Sequence, residues 1–169
     1  MNEKNILIVR CGEVALKGAN KPYFERMLVD RIKSNLRNIA EIGQGKDLDI
    51  YRHEGLIYVK ADKALDLDTI IRQVTKVFGV ASVSAAVEAE SDLDAIGAEA
   101  VQYMLKLIEE KGVRTFKVEA KRADKNFPVK SPEIGRIIGA KVLVGCKVLK
   151  VDVHDPDVIL KVDVRHDIS

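Results

Sequence analysis

The chain has few cysteines and no long apolar run, and both absences exclude classes of protein. Apolar stretches such as residues 6–9 and 158–160 are far shorter than the ~20 residues of a membrane-spanning helix. The N-terminus begins with a strand-like run instead of a signal peptide. Cys11 and Cys146 stand far apart and without partners at metal-ligand spacing, so neither a disulfide framework nor a zinc site is expected. We expect a cytoplasmic protein without membrane association.

Recognisable catalytic arrangements are also missing from the sequence. His53, His154 and His166 have no second histidine four residues on and no cysteine nearby, which argues against a metal site. The glycines in residues 10–21 and 43–46 do not have the G-x-x-x-x-G-K-[ST] spacing of a phosphate loop, and no serine nucleophile elbow is present. The chain by itself is therefore expected to be non-catalytic and to hold no cofactor.

The composition is that of a folded protein whose charges are unevenly placed. With 47% apolar and 32% charged residues among 169, the chain can form one large core or two small ones. Its net charge is only +2, yet residues 10–37 carry seven Lys or Arg against three acids, and residues 117–141 do the same. Such segregation is typical of basic working surfaces, and a solvated charged face is the equally weighted alternative.

The first half of the chain has the pattern of a ferredoxin-like domain. An apolar strand at residues 5–10 precedes apolar residues at helical spacing from Phe24 to Ile39. A hairpin follows, and then a second helix that the sequence predicts to stop at Gly79, before a last strand at residues 80–87. The resulting order, strand, helix, strand, strand, helix, strand, is the split arrangement of that fold. We assign it to residues 1–88.

Residues 89–169 are predicted to form a second α/β module, with the boundary falling between residues 76 and 92. Ser91 and Asp94 have capping-box spacing, and the helix they begin should end near Gly112. A half-buried strand at residues 115–120 and a helix beginning at Ser131 follow. Residues 149–153 and 158–165 are predicted to close the chain as a hairpin. The fold class is therefore α+β.

The most informative stretch is KRADKNFPVKSPE, residues 121–133, which joins a strand to a helix through a cationic loop. The exposed N–H groups at the start of the Ser131 helix favour an anion such as phosphate. The nearby cations add to that attraction: Lys121, Arg122, Lys125 and Lys130. Phe127 is either a core plug or a stacking platform for a base, and the plug is favoured.

A second basic stretch, residues 10–21, also joins a strand to a helix. Arg10, Lys17 and Lys21 supply its charge, and Glu13 is expected to pair with one of them. Cys11 lies near these cations, which could lower its pKa. One thiol without an activating partner is nevertheless weak evidence for catalysis, and packing is the favoured role for both cysteines.

Residues 6–28, ILIVRCGEVALKGANKPYFERML, resemble the start of the tRNA 4-thiouridine sulfurtransferases, also called thiamine-biosynthesis protein I. Residues 118–142 and 150–165 resemble the THUMP domain of that family. The family motif R-x-G-E-x-x-L-K-G-x-N is matched by Arg10, Gly12, Glu13, Leu16, Lys17, Gly18 and Asn20, while Cys11 stands where the family often has an aromatic residue.

The resemblance implies a ferredoxin-like domain and a THUMP domain that together hold tRNA, with THUMP engaging the acceptor stem and its 3′-CCA end. In the family a PP-loop domain with an S-G-G-x-D-S motif uses ATP to adenylate uridine 8, so ATP is expected only there. Expected partners are tRNA, the rest of the sulfurtransferase and, through it, a cysteine desulfurase; a homodimer spanning one tRNA stays open. The expected RNA-binding residues are Lys121, Arg122, Lys125, Phe127, Lys130, Ser131, Arg136, Arg10, Lys17 and Lys21.

Two alternatives of other classes stay open at this point. A ferredoxin-like fold also suits a regulatory module that binds a small anionic metabolite or a protein partner. The second module with its cationic loop argues against it, because a small-ligand sensor does not obviously require one. An autonomous sulfurtransferase would need an ATP motif and a reactive cysteine, and no such motif is recognisable.

Overall fold

The computed structural model describes residues 4–12, 20–39 and 48–165. The chain divides into two compact units, Met1–Val87 and Glu88–Ser169. Among the described residues, no helix is long and apolar enough to cross a membrane.

The first unit is an antiparallel four-stranded sheet with two helices. In chain order its elements are β1 (Lys4–Cys11), α1 (Lys21–Leu36), β2 (Leu48–His53), β3 (Leu56–Asp62), α2 (Leu67–Thr75) and β4 (Val80–Ala86). The sheet order is β2-β3-β1-β4, with β1 antiparallel to both of its neighbours. This confirms the ferredoxin-like arrangement predicted from the sequence.

Strand alternation and helical periodicity converge on one core in this unit. Leu7 and Val9 point to the same face of β1, where they are paired with Val59 and Ile57 of β3, because alternate strand residues share a face. All four are fully buried. The helices complete the core with side chains at helical spacing: Leu28, Ile32 and Leu36 from α1, and Ile70 and Val74 from α2.

The second helix ends earlier than the sequence predicts. Its C-cap is Lys76, and the chain then turns through bonds from Val77 N–H to Val74 O and from Val80 N–H to Val77 O, at 3.0 and 3.1 Å. Gly79 is not the helix cap but the residue that lets the chain enter β4. Its φ of 102° is one that residues with a Cβ rarely adopt.

The second unit packs two helices on a three-stranded sheet. Its elements are α3 (Leu93–Lys111), β5 (Thr115–Arg122), α4 (Ser131–Gly145), β6 (Lys150–Val151) and β7 (Val158–Val164). Gly135 of α4 lies over Ala120 of β5, where a Cβ on the glycine would be 3.8 Å from the alanine Cβ. The fully buried centre of the core is formed by Met104, Phe116, Ile134, Ile138 and Val142.

The predicted start of α3 is off by one residue, while its predicted end is confirmed. Asp92, not Ser91, is the N-cap: its Oδ1 accepts from the N–H groups of Asp94 and Ala95, both at 2.9 Å. Asp92 is the cap in place of Ser91 because its carboxylate accepts from two of the helix's otherwise unpaired N–H groups at once. At the other end Gly112 adopts the left-handed conformation, with φ 65°, as expected of a glycine cap.

The predicted closing hairpin is wrong. Strands β6 and β7 lie on opposite sides of β5, both parallel to it, in the order β6-β5-β7. Residues 152–157 therefore cross the start of β5 instead of forming a tight turn. The Asp157 carboxylate holds this crossing by accepting from the N–H groups of Arg114 and Thr115 at 2.8 and 2.9 Å, and Asp152 N–H donates to Phe116 O at 3.0 Å.

The Asp157 bonds predict a pH-dependent contribution to stability. Hydrogen bonds from the backbone N–H groups of Arg114 and Thr115, and then from the Thr115 hydroxyl, lower the pKa of Asp157 below its ordinary value of 3.8. A carboxyl group with a lowered folded-state pKa stabilises the fold above its unfolded pKa and loses that effect as the pH falls through the folded value. Asp157→Asn should therefore lower Tm at pH 7, and its difference from the unchanged chain should shrink below about pH 4.

Thermal melting followed by circular dichroism between pH 7 and pH 3 measures this difference. Asp155→Asn is the matched control: it makes the same change in the same loop, and Asp155's carboxylate accepts none of the hydrogen bonds that the structure shows among its described residues. Equal melting shifts for the two variants at pH 7 would contradict the role given to Asp157.

Candidate nucleic-acid interface

The site predicted at residues 121–133 begins at the C-terminal end of β5. Alternation along the strand places Ala120 and Arg122 on the face that α4 covers, while Lys121 points to the opposite face and is exposed. Lys117 shares the face of Lys121, but its Nζ lies 2.8 Å from Glu119 Oε1, so its charge is already paired. On this face of β5, Lys121 is thus an exposed cation whose charge is not paired within the strand.

Backbone hydrogen bonds fix the loop that follows. The N–H groups of Ala123 and Asp124 both donate to the carbonyl oxygen of Val164, at 2.8 and 3.1 Å. Asn126 N–H then donates to Asp124 Oδ1 at 2.8 Å, which closes an Asx turn. The loop is therefore held in one conformation, and a ligand would bind it without first ordering its backbone.

Arg122 and Ser131 form hydrogen bonds inside the loop. Arg122 Nη1 donates to Phe127 O at 2.9 Å, and the Arg122 backbone N–H donates to Ser131 Oγ at 3.0 Å. These two bonds connect the strand to the far end of the loop and to the first residue of α4. Arg122 is therefore a positioning residue for the loop in this structure, and RNA contact by either side chain stays a prediction.

Phe127 is a core residue, as the favoured interpretation of the sequence had it. Only 8% of it is exposed, and it belongs to the cluster that includes Ile134 and Ile138. Its burial leaves little of the ring accessible for stacking on a base, and the RNA contact for which Phe127 was also named stays a prediction. Phe127 anchors the loop to the core.

The N-terminus of α4 attracts an anion less strongly than the sequence predicts. The cap residue is Lys130, without a side-chain cap, and its carbonyl oxygen accepts from both Glu133 and Ile134 N–H at 3.0 Å. Pro132 has no N–H to offer. The first-turn carboxylate of Glu133 also competes for positive charge, and it lies 3.5 Å from Arg136 Nη2. Attraction of a phosphate therefore has to come mainly from lysine side chains.

Three lysines around the loop remain available for that purpose. Lys121, Lys125 and Lys130 are exposed, and none of them forms an ion pair with any residue in the described ranges. We call them the loop lysines. They project three unshared positive charges from a backbone that is held in place by hydrogen bonds and by a buried phenylalanine.

The second predicted stretch, residues 10–21, is only partly described. Arg10 Nη1 donates to Ser84 Oγ at 3.4 Å, and Lys21 Nζ lies 3.8 Å from Glu25 Oε1. Lys17 and Glu13 lie outside the described residues. The structure also shows an ion pair that the sequence does not predict: Arg52 Nη1 lies 2.8 Å from Glu25 Oε2. No sequence pattern pairs a strand residue with a helix residue 27 positions away.

Cysteine and metal chemistry find no support among the described residues. Burial raises the pKa of the Cys11 thiol above its ordinary value, and the Glu25 carboxylate adds to the increase while Lys21 opposes it. The sequence-based expectation that nearby cations lower this pKa is wrong, because burial disfavours the thiolate more strongly. Within the described ranges, no group of three His, Cys, Asp or Glu residues could hold a metal ion.

Family models match both units of the chain. Residues 6–84 match the ThiI ferredoxin-like domain, and residues 90–169 match the THUMP domain. The chain is a ThiI ferredoxin-like domain followed by a THUMP domain. The loop lysines lie in the THUMP domain, and Arg10, Lys21 and Arg52 lie in the ferredoxin-like domain.

Relatives of the two domains occur together in longer proteins. A probable tRNA sulfurtransferase of Alkaliphilus metalliredigens is 40% identical over 162 residues, which are 96% of this chain and 40% of that protein. The chain thus spans less than half the length of the curated relatives it matches.

Two solved structures have the same two-domain fold. The crystal structure of a 4-thiouridine synthetase–RNA complex with bound ATP matches with a TM-score of 0.78 and 30% identity, covering 97% of this chain and 39% of that one. A protein from Pyrococcus horikoshii matches with a TM-score of 0.79 and 28% identity, covering 95% and 51%.

Proposed function

We propose that this chain binds tRNA as the RNA-holding region of a tRNA 4-thiouridine sulfurtransferase. It would position the acceptor stem and the 3′-CCA end for a catalytic PP-loop domain. The observation that carries the proposal is the set of three loop lysines, exposed and without ion pairs in the described structure, on the THUMP domain. The similarity to a 4-thiouridine synthetase that was crystallised with RNA supports it.

The physical basis of binding is the exchange of phosphate counterions for lysine side chains. Each phosphate that a lysine neutralises releases condensed cations, which favours binding and makes it weaker as salt rises. Such contacts fix the position of the RNA without reading its sequence. A held loop suits this role, because the nucleic acid is placed reproducibly relative to the protein that carries the loop.

The chemistry of the reaction would belong to other parts of the protein. We propose that ATP binds and uridine 8 is adenylated in a PP-loop domain, with sulfur arriving from a cysteine desulfurase, in the cytoplasm, in a protein that also serves thiamine biosynthesis. This chain's contribution would be binding and orientation. A homodimer that spans one tRNA is compatible with this division of labour.

Titration of the purified chain with tRNA tests the proposal. Whole tRNA should bind with an affinity that falls as salt rises, and removal of the 3′-CCA should weaken it. An acceptor minihelix that retains CCA should keep most of the affinity, because it contains the whole proposed binding element. Absence of tRNA binding at about 50 mM salt, where a phosphate-binding protein binds much more tightly than at about 200 mM, would refute the proposed function.

A further inference from the structure

The solvent face of α1 and the C-cap residue that follows it carry a row of cations that the candidate interface does not include. Arg26, Lys33 and Arg37 are all exposed. At about 100° per residue, the side chains of Lys33 and Arg37 point roughly 20° to either side of Arg26, so the row spans roughly 40°, and it is about 16 Å long. We call these three residues the α1 row.

The acids of the same helix leave most of this charge unshared. Glu25 is turned inward, with only 4% of the residue exposed, and its charge is paired with Arg52 at 2.8 Å. Asp30 lies near the row, yet it forms no ion pair with Arg26 or Lys33 among those the structure shows for its described residues. The α1 row therefore retains a net positive charge.

The opposite side of this unit is less suited to nucleic acid. Some RNA-binding domains with a four-stranded sheet stack bases on aromatic side chains of its open face. Here the aromatic residue at that position, Tyr58, is only 4% exposed, and its ring stacks on Tyr51 with centroids 5.3 Å apart. Ile6 on the same face is also buried. The exposed cations of α1 are therefore better placed to bind RNA than the aromatic side chains of this face.

We propose that the α1 row is a second RNA contact that binds the phosphate backbone of a double-stranded stem. The inference rests on the proposed tRNA binding and adds a surface to it. A row fixed on a helix has constant spacing, which matches the regular backbone of a duplex better than a flexible single strand. Backbone contacts of this kind are independent of sequence. The α1 row thus adds a surface of the ferredoxin-like unit to the RNA-binding surface proposed for the THUMP unit.

The test is a salt titration of a triple variant, Arg26→Gln, Lys33→Gln and Arg37→Gln, with whole tRNA. Each lost duplex phosphate contact should lower the slope of log affinity against log salt by about 0.9, which corresponds to about eight-fold in affinity per contact at 0.1 M salt. The triple variant should lose between about 10-fold and 500-fold. A second variant, Arg26→Lys and Arg37→Lys, keeps the charge and should bind like the unchanged chain.

A matched control removes the same charge from elsewhere: Arg31→Gln, Lys76→Gln and Lys147→Gln. All three residues are exposed and lack ion pairs within the described ranges, and Arg31 points about 140° away from Arg26 on the same helix. The control should keep the slope of the unchanged chain. An equal loss in control and α1-row variants would mean that only net charge matters, and it would overturn the proposal.

Further outcomes separate this inference from the proposed function. If the unchanged chain binds no tRNA, the proposed function and this inference are both wrong. If it binds tRNA and the α1-row variant binds with unchanged affinity and slope, the inference alone is wrong. A lower Tm with unchanged affinity would assign the row to stabilisation of the helix C-terminus, which also overturns it. An equal loss with unstructured single-stranded RNA would overturn the assignment to a stem.

Discussion

Replacing Lys121, Lys125 and Lys130 together with alanine is expected to weaken tRNA binding by up to about 500-fold at 0.1 M salt. The three side chains are exposed and form no ion pair with the described residues, so their charges are available to phosphates. The slope of log affinity against log salt should become shallower by about 2 to 3 for duplex contacts, and by less where the contacts are to a single-stranded end. The fold should survive, since exposed substitutions usually change stability by less than about 0.5 kcal/mol.

Fluorescence or gel-shift titration at several salt concentrations measures both quantities. The control variant Lys111→Ala, Lys147→Ala and Lys150→Ala removes three exposed cations from the same unit and should bind nearly as well as the unchanged chain. Arg122 is kept in both variants, because its bond to Phe127 O holds the loop and its loss would mix a structural effect with an electrostatic one. A folded loop-lysine variant with unchanged affinity and slope would remove these residues from the interface.

The element order of the first unit follows from local sequence patterns, because each element there carries its own signal. Alternation in β1 and helical spacing in α1 and α2 point the same residues inward, and the structure buries them. The end of the second unit was predicted wrongly because the signal was non-local. Asp157 is a typical turn residue in a sequence, yet its carboxylate accepts from the backbone N–H groups of Arg114 and Thr115, about 40 positions earlier. The Asp152 carboxylate does form a local turn, with the N–H groups of His154 and Asp155.

The cationic loop was also predictable from the sequence. Which of its cations are free, and which form hydrogen bonds within the loop, was not. A strand, a basic loop and a helix start are visible in the sequence and lead to the loop lysines. Whether a given cation is free depends on hydrogen bonds that form only in the folded loop, which is why Arg122 was grouped with Lys121. The burial of Phe127 and the pairing of Arg52 with Glu25 likewise depend on tertiary packing, for which sequence offers at most a prior.

Phe127→Ala is expected to lower the free energy of unfolding of the second unit by about 3 to 5 kcal/mol. The ring is buried beside Ile134 and Ile138, so its removal costs both the transfer of the apolar side chain from water and the cavity left behind. Urea unfolding followed by circular dichroism measures the change. Phe127→Leu should lose less, because it refills part of the volume.

Phe78→Ala is the matched control, since Phe78 is 85% exposed and the same substitution there should change stability by less than about 0.5 kcal/mol. Because the two variants make the same substitution, the difference between their stability changes reports the effect of burial.

Phe127→Ala should also affect RNA binding, because the Phe127 carbonyl oxygen accepts a hydrogen bond from Arg122 that holds the loop. Loosening the core beneath the loop should let the loop lysines spread over several positions. Among folded molecules the variant should then bind tRNA more weakly, with a salt slope near that of the unchanged chain, since no charge has been removed. Unchanged stability together with lost tRNA affinity would instead indicate a ring that touches RNA, and would contradict its place in the core.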